Sequence, residues 1–516
     1  MNLATESSSQ PVVLVVCDGL GHASSGPGNA VQLASMIFFD GLMHRYPSAY
    51  LAAAGEAVGL LPGFMGNSEV GHVTLGAGRV VKGSIVRFHE LIESGELMQH
   101  PSANVLRDFA QTGKALHVLG LLSDGGVHSH ELHLHAMLEF AVQCGITNIV
   151  VHPILDGRDV APASAAIYLE RLDKKLHELT HGSIGSLQGR FYAMDRDKNW
   201  DRTSASYEMM SGSGDVVGGD WQTALAASYA ANEMDEFVKP VLFGIGNAMQ
   251  DSDAVVFVNV RPDRAVQLTS RLLVCDNNKR PGRSLAFVLT GYRYDPGFNN
   301  PVILEPKLVQ HTLLDIVAAA QPKRPIFLLA ETEKYAHVTY FFKGMRDEHP
   351  QQETRVMIPS LKMRNYTTHP EMGAQSITDH LEEVLLTHPN ALCVINYANA
   401  DMVGHSGNLA ATIAACRLVD AQLSRAFEIV VNKMGGVLAI TADHGNAEAM
   451  LDSAGNPKTA HTANPVPFVV AGPGLERATH LPKNLVATHG IAHVSPTLLQ
   501  IMGIELPAVM VEPLSL

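Results

Sequence analysis

Short apolar runs that end in polar residues recur along the chain. The first, PVVLVVCDGLG at residues 11–21, is an uninterrupted apolar run followed by Asp18 and Gly19. An apolar run of this length is typical of a strand that is buried on both faces of a parallel sheet. The same pattern recurs at residues 115–126, 148–159, 253–264, 324–334, 391–401 and 436–446. Each run predicts a buried strand with a polar loop at its carboxyl end.

Segments with helical periodicity lie between these runs. Two of them are HLEEVLLTHP and AATIAACRLVDAQLSRAFEIVVNKM. The alternation of strand and helix predicts an α/β fold with mostly parallel sheets. Ligands of such sheets bind beyond the carboxyl ends of the strands. The polar loops therefore contain the candidate functional residues.

The chemistry of the polar loops changes along the chain and predicts the domain organisation. Loops in residues 1 to about 80, and from about 310 to the end, carry Asp, His and Ser, whereas those in between carry Arg, Asp and His. A chain of 516 residues is also too long for one compact core. We predict a discontinuous domain, residues 1–81 and 308–516, with a second domain, residues 84–300, inserted into it. Hinges are expected near 79–85 and 299–307.

Composition and charge exclude several classes of protein. The chain is 46% apolar and 17% charged, as in ordinary globular proteins, and its net charge of -14 argues against binding to nucleic acids or anionic membranes. The start, MNLATESSSQ, lacks the features of a signal peptide, and no apolar run approaches the roughly 18 residues of a membrane span. The scattered cysteines predict no disulfide framework and fit a reducing cytosol. They are Cys17, Cys144, Cys275, Cys393 and Cys416. We expect a cytoplasmic protein.

Aspartate and histidine residues at strand ends of the outer segments form a candidate metal site. They are Asp18, Asp401, His405, Asp443, His444 and His461. Asp401 and His405 are four residues apart, so both can face one ligand across a helical turn. Carboxylate and imidazole without thiolate suit Mn²⁺ or Zn²⁺, with Mg²⁺ or iron as alternatives. Taken alone, Asp18 could instead cap the helix after its strand. Six ligands exceed the needs of one catalytic ion, which predicts two ions of the kind that clamp a phosphoryl group during transfer.

Residues 61–72, LPGFMGNSEVGH, contain a candidate nucleophile. Ser68 follows a Pro-Gly turn and lies between glycines. A serine at the start of a helix commonly caps it, and the stretch alone does not decide between a cap and a nucleophile. A bound cation sharply lowers the pKa of a coordinated hydroxyl. Ions held by the Asp/His set would therefore let Ser68 act as a nucleophile without a histidine base.

Arginines in the middle segment form a candidate anion site. They are Arg158 in DGRD, Arg190 and Arg196 in GRFYAMDRD, and Arg261 and Arg264 in RPDR. Guanidinium groups bind carboxylate and phosphate bidentately, and RPDR is expected to place two of them about one helical turn apart. Each arginine could instead form a structural salt bridge with a neighbouring aspartate. Five arginines at strand ends of an acidic protein favour a small, multiply anionic ligand.

Two further residues could take part in binding an anion. His128 in SDGGVHSH lies beside a Gly-Gly loop, and Lys334 in AETEKY lies at a strand end of the outer segment. A solvated histidine in a tight turn and a surface lysine are the alternatives.

Ten ordered motifs cover nearly the whole chain and resemble one family. They are CDG, GNSEVGH, SDGGVHSH, DGRD, GRFYAMDRD, RPDR, AETEKYAHVTYFF, NYANADMVGH, TADHGNAE and HTANPVPF. Together they resemble the cofactor-independent (2,3-bisphosphoglycerate-independent) phosphoglycerate mutases of the alkaline-phosphatase-like superfamily. The resemblance implies an α/β fold in which a second α/β domain, a transferase domain that binds substrate, is inserted into an alkaline-phosphatase-like metal domain.

The resemblance also implies an activity. The enzyme would be an isomerase that interconverts 3-phosphoglycerate and 2-phosphoglycerate in glycolysis and gluconeogenesis. The reaction would pass through a phosphoserine intermediate at a dinuclear metal site, without 2,3-bisphosphoglycerate. Ser68 would be the nucleophile, Asp159 the general acid and base, and Lys334 the group that neutralises charge on the phosphoryl oxygens. A cytoplasmic monomer is implied as well.

Ligand sets follow from the same motif matches. One Mn²⁺ would be held by Asp18, Ser68, Asp443 and His444, and the other by Asp401, His405 and His461. Zn²⁺, Co²⁺ or Mg²⁺ are the alternative metals. The residues implied to contact substrate are His128, Arg158, Asp159, Arg190, Arg196, Arg261, Arg264 and Lys334.

Two departures from the family pattern lie near the nucleophile. Leu20 stands where the family usually has Trp, and Pro62-Gly63-Phe64 stands where it commonly has Asp-Gly-Gln. Neither removes a ligand, and both are expected to alter packing beside Ser68. Three other functions use some of the same features: a metal-dependent phosphatase or phosphodiesterase, a phosphopentomutase-like isomerase, and a non-catalytic binding protein.

Overall fold

The computed structural model describes residues 10–273, 283–363, 366–477 and 485–515, and Cys275 lies outside them. Its strands are β1 (Val12–Cys17), β2 (Ser48–Leu51), β3 (Leu116–Leu122), β4 (Ile149–Leu155), β5 (Gly182–Ile184), β6 (Ser186–Gly189), β7 (Val216–Val217), β8 (Val241–Phe243), β9 (Ala254–Phe257), β10 (Phe287–Tyr292), β11 (Val302–Leu304), β12 (Ile326–Glu331), β13 (Glu353–Ile358), β14 (Leu392–Tyr397), β15 (Val437–Thr441) and β16 (Val466–Ala471).

Helices alternate with these strands through most of the chain. They are α1 (Ala30–Ala34), α2 (Ile37–Arg45), α3 (Ser68–Ala77), α4 (Ser84–Glu93), α5 (Pro101–Ala110), α6 (Glu131–Gln143), α7 (Ala165–Leu179), α8 (Arg190–Ala193), α9 (Trp200–Met210), α10 (Trp221–Ala230), α11 (Val266–Leu272), α12 (Leu313–Ala320), α13 (Ala374–Thr387), α14 (Asn399–Gly404), α15 (Leu409–Phe427) and α16 (Val494–Ile501). The predicted α/β fold class is confirmed.

The chain forms two compact units, of which unit 1 comprises Met1–Gly83 and Leu308–Leu516. Its sheet has the strand order β13-β12-β14-β1-β15-β16-β2. Strand β1 lies between β14 and β15 and is parallel to both. Every residue of β1 is buried, which explains why its sequence is apolar without interruption.

The register of these three strands brings their polar loops to one edge of the sheet. Cys17, the last residue of β1, is level with Tyr397, the last residue of β14. Val16 is level with Thr441, where β15 ends. The loops that carry Asp18, Asp401 and Asp443 therefore begin side by side.

Unit 2 comprises Ser84–Lys307. Its sheet has the order β11-β10-β9-β3-β4-β6-β8-β7, with β5 also paired to β4. Strands β3, β4 and β6 are parallel, and Leu122, Leu155 and Gly189 at their carboxyl ends lie in adjacent register. The segments that follow them contain most of the predicted anion-binding residues. Val302–Leu304, within the second predicted hinge, pairs with β10 as the edge strand β11 of this sheet.

Two features bear on the protein class. Among the residues that the structure describes, no helix combines the length and apolar composition that a membrane span requires. The described cysteines, Cys17, Cys144, Cys393 and Cys416, are free thiols and buried.

Candidate active site

Ser68 is the first residue of α3, and its neighbour Asn67 caps that helix. The Asn67 side chain accepts a hydrogen bond of 3.1 Å from the backbone N–H of Val70. The Ser68 side chain is therefore not needed as a cap, and it is only 7% exposed. Gly71 lets α3 lie against the loop after β15, because a Cβ at this position would be 2.7 Å from the carbonyl oxygen of Asp443.

The first predicted ligand set converges around the Ser68 hydroxyl. Ser68 Oγ lies 3.3 Å from Asp18 Oδ1 and 3.0 Å from His444 Nε2. His444 Nε2 in turn lies 3.6 Å from Asp18 Oδ1 and 3.4 Å from Asp443 Oδ2. Asp18, Asp443 and His444 are fully buried, although they come from two strand ends far apart in the sequence.

The second predicted ligand set also converges. Asp401 Oδ1 lies 3.3 Å from His405 Nε2 and 3.3 Å from His461 Nε2, and the two imidazole nitrogens are 3.1 Å apart. Asp401 lies in α14 and His405 directly after it, so the predicted helical turn is present. His444 connects the two sets, because its ring stacks on that of His461 with centroids 3.9 Å apart.

The arrangement of these atoms fits divalent metal ions. Ligands bound tetrahedrally at about 2.1 Å from an ion lie about 3.4 Å from one another, close to the separations within both sets. His405 Nδ1 and His461 Nδ1 face the backbone carbonyl oxygens of Thr459 and Gly66 at 2.7 Å and 2.9 Å. Donation to these carbonyls places the proton on Nδ1 and leaves Nε2 available to a metal.

A buried carboxylate oxygen gives a second indication of a cation. Asp443 Oδ2 accepts no hydrogen bond of good geometry within the described part of the chain, although His72 Nδ1 and His444 Nε2 lie 3.3 and 3.4 Å from it. Buried polar atoms without a partner are rare because they lose their hydration without compensation. A metal ion at this position would satisfy the oxygen.

Lys334 lies inside the cluster and not on the surface. Its Nζ donates to Asp18 Oδ1 at 2.6 Å, to Ser68 Oγ at 2.8 Å and to Asp401 Oδ2 at 2.7 Å. Burial lowers the pKa of this ammonium, but the neighbouring carboxylates, led by Asp18 and Asp401, raise it more, so the net pKa is raised. The group therefore stays charged and bridges the two ligand sets.

Two residues that were not identified from the sequence, Asn396 and His72, contact members of the cluster. The amide of Asn396, in β14, donates to Asp18 Oδ2 at 2.8 Å and contacts His72 Nε2 at 3.1 Å. His72 Nδ1 lies 2.9 Å from the carbonyl oxygen of Ser68 and 3.3 Å from Asp443 Oδ2. The spacing of Ser68 and His72, four residues apart in GNSEVGH, was the signal that could have identified the histidine.

Both departures from the family pattern leave the cluster intact. Leu20 is fully buried and belongs to the hydrophobic core of unit 1. Pro62 and Gly63 are exposed, and Phe64 is half-buried.

Arg190 is the most enclosed of the predicted arginines, at 2% exposure. Its Nη1 lies 2.6 Å from Asp156 Oδ1 and 2.7 Å from Asp159 Oδ2. Asp156, which sequence reasoning missed although it begins the DGRD motif, also accepts hydrogen bonds from the backbone N–H groups of Arg158 and Asp159 and from the Ser123 hydroxyl. Burial raises the pKa of Asp159 against the opposing effect of Arg190, which favours a role in proton transfer.

His128 is buried in an electropositive environment. Its Nδ1 has no hydrogen-bond partner among the described residues and lies 3.6 Å from Asp263 Oδ1. Burial and then the surrounding positive charges lower the pKa of His128 to about 2, so the ring is neutral. Those charges are Arg190, Arg261, Arg264 and Arg196. Four of the predicted arginines therefore act electrostatically on the His128 ring in unit 2.

The remaining arginines differ in their partners. Arg196 and Arg261 both pair with Asp263 at 3.1 Å, and Arg158 lies 3.4 Å from Glu236. Ion pairs with an aspartate, the alternative to ligand binding, are thus present for Arg190, Arg196 and Arg261, whereas Arg158 faces a glutamate.

Arg264 donates to the carbonyl oxygen of Met194 at 3.2 Å, and no carboxylate in the described part of the chain lies within 4.0 Å of its guanidinium. The RPDR motif directly precedes α11, which begins at Val266.

Comparisons with known proteins agree with the motifs. The family model for the BPG-independent phosphoglycerate mutase N-terminus matches residues 88–295. A Gloeobacter violaceus protein named 2,3-bisphosphoglycerate-independent phosphoglycerate mutase is 42% identical over 513 residues, which cover 98% of this chain and 95% of that protein. This chain belongs to the 2,3-bisphosphoglycerate-independent phosphoglycerate mutase family. The family and enzyme class predicted from the motifs are confirmed.

Other members of the family extend the comparison. A Pseudomonas fluorescens Pf0-1 protein of the same name is 43% identical over 511 residues, covering 97% of this chain and 98% of its own. The solved structure of Leishmania mexicana phosphoglycerate mutase at low cobalt concentration is 31% identical, with a TM-score of 0.76 and coverage of 99% of this chain and 98% of that one.

Proposed function

We propose that this protein interconverts 3-phosphoglycerate and 2-phosphoglycerate through a phosphoserine formed on Ser68, without 2,3-bisphosphoglycerate. The observation that carries the proposal is the position of Ser68 Oγ, at the start of α3 and within 3.3 Å of Asp18, His444 and Lys334. The relatives described above bear the name of this activity.

Two metal ions complete the proposed site. Asp18, Ser68, Asp443 and His444 would hold one ion, and Asp401, His405 and His461 the other. We propose Mn²⁺, with Zn²⁺, Co²⁺ or Mg²⁺ as substitutes, because the donors are carboxylate, hydroxyl and imidazole groups without thiolate. A divalent ion held by Asp18, Ser68, Asp443 and His444 would supply the charge that lowers the pKa of the Ser68 hydroxyl.

In unit 1, Ser68 acts as the nucleophile. Its oxygen attacks the phosphorus in line with the bond to glycerate. The Lys334 ammonium, held by Asp18 and Asp401, neutralises charge that develops on the phosphoryl oxygens. Backbone N–H groups at the start of α3 favour the same anion.

Unit 2 supplies the groups for glycerate and for its protons. Asp159, whose pKa burial raises, donates a proton to the leaving oxygen. It then accepts a proton from the other hydroxyl, which attacks the phosphoserine. The arginine set and the neutral ring of His128 bind the carboxylate of the substrate. Residues of both units are needed for one turnover, in line with a metal-binding role for unit 1 and a transferase role for unit 2.

The cellular setting is proposed as well. We propose a monomer that works in the cytoplasm. The free thiols of the described cysteines support a reducing compartment.

The direct test is an assay with metal-loaded protein and 3-phosphoglycerate in the absence of 2,3-bisphosphoglycerate. We expect 2-phosphoglycerate to accumulate and inorganic phosphate to remain a minor product. Chelation with EDTA should abolish the reaction, and Mn²⁺ should restore it, because the ligand sets would otherwise lack their ions. Phosphate as the main product would favour a hydrolase, and activity unaffected by EDTA would contradict the metal assignment.

Replacing Arg264 by methionine tests the anion site. Arg264 has no carboxylate partner in the described residues, and burial and the neighbouring arginines, Arg196 first among them, lower its pKa. We expect KM for 3-phosphoglycerate to rise about 10- to 100-fold, the loss of one charge-assisted contact. The ratio of inorganic phosphate to 2-phosphoglycerate should also rise, because glycerate that is held less tightly leaves the phosphoserine to water.

The exposed residue Arg107 of α5 offers a matched control. Arg107→Met removes one positive charge, as Arg264→Met does. Its KM for 3-phosphoglycerate and its ratio of inorganic phosphate to 2-phosphoglycerate should both stay at the wild-type values. An Arg264→Met variant that behaved like Arg107→Met would remove Arg264 from the proposed substrate site.

A further inference from the structure

A buried carboxylate outside the predicted ligand sets connects the loops that carry the ligands. Glu448 follows β15 within TADHGNAE and is 2% exposed. Within the described chain, no lysine or arginine lies within 4.0 Å of it. Its charge is stabilised instead by hydrogen bonds from uncharged groups.

Each oxygen of Glu448 receives two hydrogen bonds. Oε2 accepts from the backbone N–H of Gly21 at 3.1 Å and of Asn446 at 2.9 Å. Oε1 accepts from the Thr462 hydroxyl and from the Asn464 side-chain amide, the latter at 2.9 Å.

These four donors lie on three of the loops that form the candidate metal cluster. Gly21 is three residues after Asp18, Asn446 is two residues after His444, and Thr462 directly follows His461. A side chain at Gly21 would displace the Glu448 carboxylate, since its Cβ would be 2.3 Å from that group.

We infer that Glu448 is a positioning residue that holds the Asp18, His444 and His461 loops in the geometry needed to bind metal. This inference rests on the proposed metal assignment. Residues that orient metal ligands without touching the ion typically change metal affinity by 10- to 100-fold when they are replaced. Glu448 lies on the His444 loop, and its carboxylate bonds to the Asp18 and His461 loops. It therefore sets the separations of ligands that come from distant parts of the chain.

The test is the affinity of the metal-free full-length protein for Mn²⁺, measured by calorimetry on two variants. Glu448→Met removes all four acceptor contacts, and its dissociation constant for Mn²⁺ should rise about 10- to 100-fold. Saturating Mn²⁺ should restore most of kcat, because the ligands themselves remain.

Glu448→Gln is the conservative variant, and we expect its dissociation constant to rise less than about tenfold. The glutamine oxygen can still accept from Gly21 and Asn446. The Thr462 hydroxyl and the Asn464 amide can each rotate to accept from the glutamine NH₂ group.

Asp420→Leu is the matched control for a purely structural effect. Asp420 accepts backbone hydrogen bonds from Phe38 and Phe39 in the same unit and holds no ligand loop. This variant should lose stability but keep the wild-type affinity for Mn²⁺. A loss of affinity in Glu448→Met no larger than in Asp420→Leu would overturn the inference.

Two further outcomes are distinguishable. If Glu448→Met does not fold, Thr462→Val removes one of the four bonds, and it should raise the dissociation constant about threefold to tenfold. An unchanged value would overturn the inference.

A wild-type protein that bound no Mn²⁺ would contradict the proposed function itself. A wild type that binds Mn²⁺ and a Glu448→Met variant that binds it equally well would overturn only the role of Glu448.

Discussion

A Ser68→Ala variant is expected to lose the interconversion of 3- and 2-phosphoglycerate, with kcat at least about 10⁴-fold below the wild type. The reason is that no other hydroxyl contacts both Asp18 and Lys334 in the described structure, so no alternative nucleophile is in place. Coupled measurement of 2-phosphoglycerate gives the rate. The folded state should persist, because Asn67 and not Ser68 caps α3.

The phosphoserine intermediate can also be detected directly on the protein. Wild-type protein quenched in acid during turnover should carry one phosphoryl group on the peptide that contains Ser68, and the variant should carry none. Ser94→Ala is the control, since Ser94 is an exposed serine outside the predicted hinges and the site, and this change should leave both readouts unchanged. Product formation at the wild-type rate in Ser68→Ala would refute the phosphoserine mechanism.

A Lys334→Met variant, compared with and without Mn²⁺, should reveal how the buried carboxylates of the cluster are stabilised. The Lys334 ammonium lies 2.6 Å from Asp18 Oδ1 and 2.7 Å from Asp401 Oδ2. Breaking a buried ion pair typically costs about 3–5 kcal/mol, and we expect the free energy of unfolding to fall by that amount. With saturating Mn²⁺ the fall should be smaller, because divalent ions would then neutralise the same carboxylates. Activity at saturating Mn²⁺ should still drop about 10²- to 10³-fold.

Lys343→Met provides the comparison. Lys343 is as deeply buried as Lys334 and pairs with Glu353 at 3.1 Å, apart from the predicted ligands. Urea unfolding should show the same loss of stability in this variant with and without Mn²⁺. If the loss in Lys334→Met were equally insensitive to Mn²⁺, the proposed sharing of carboxylates between Lys334 and the metals would be wrong.

The apolar pattern was sufficient to predict the strands on which the site is built. Burial on both faces of a parallel sheet requires apolar side chains throughout a strand, and the runs ending at Asp18, Asp401 and Asp443 became β1, β14 and β15. The same physical constraint places polar residues at the carboxyl ends of the strands. Most predicted site residues could therefore be identified from local sequence alone.

Pairing of residues across the chain could not be predicted in this way. Ser68 read alone could be a cap, and only the structure assigns capping to Asn67. Lys334 could be a surface lysine, but it is buried because β12 lies beside β14 in the sheet. Asn396 and Glu448 have no distinctive spacing relative to Asp18 and Gly21, the distant residues that they contact.

By itself the sequence determined the α/β class and the family, and it supplied the candidate site residues, because burial and side-chain chemistry act on short stretches of chain. Only the tertiary structure decided which of those residues meet and which groups hold them. A distance such as the 3.0 Å between Ser68 Oγ and His444 Nε2 depends on strand order and register. These are set by packing between segments hundreds of residues apart, and no local pattern records that packing.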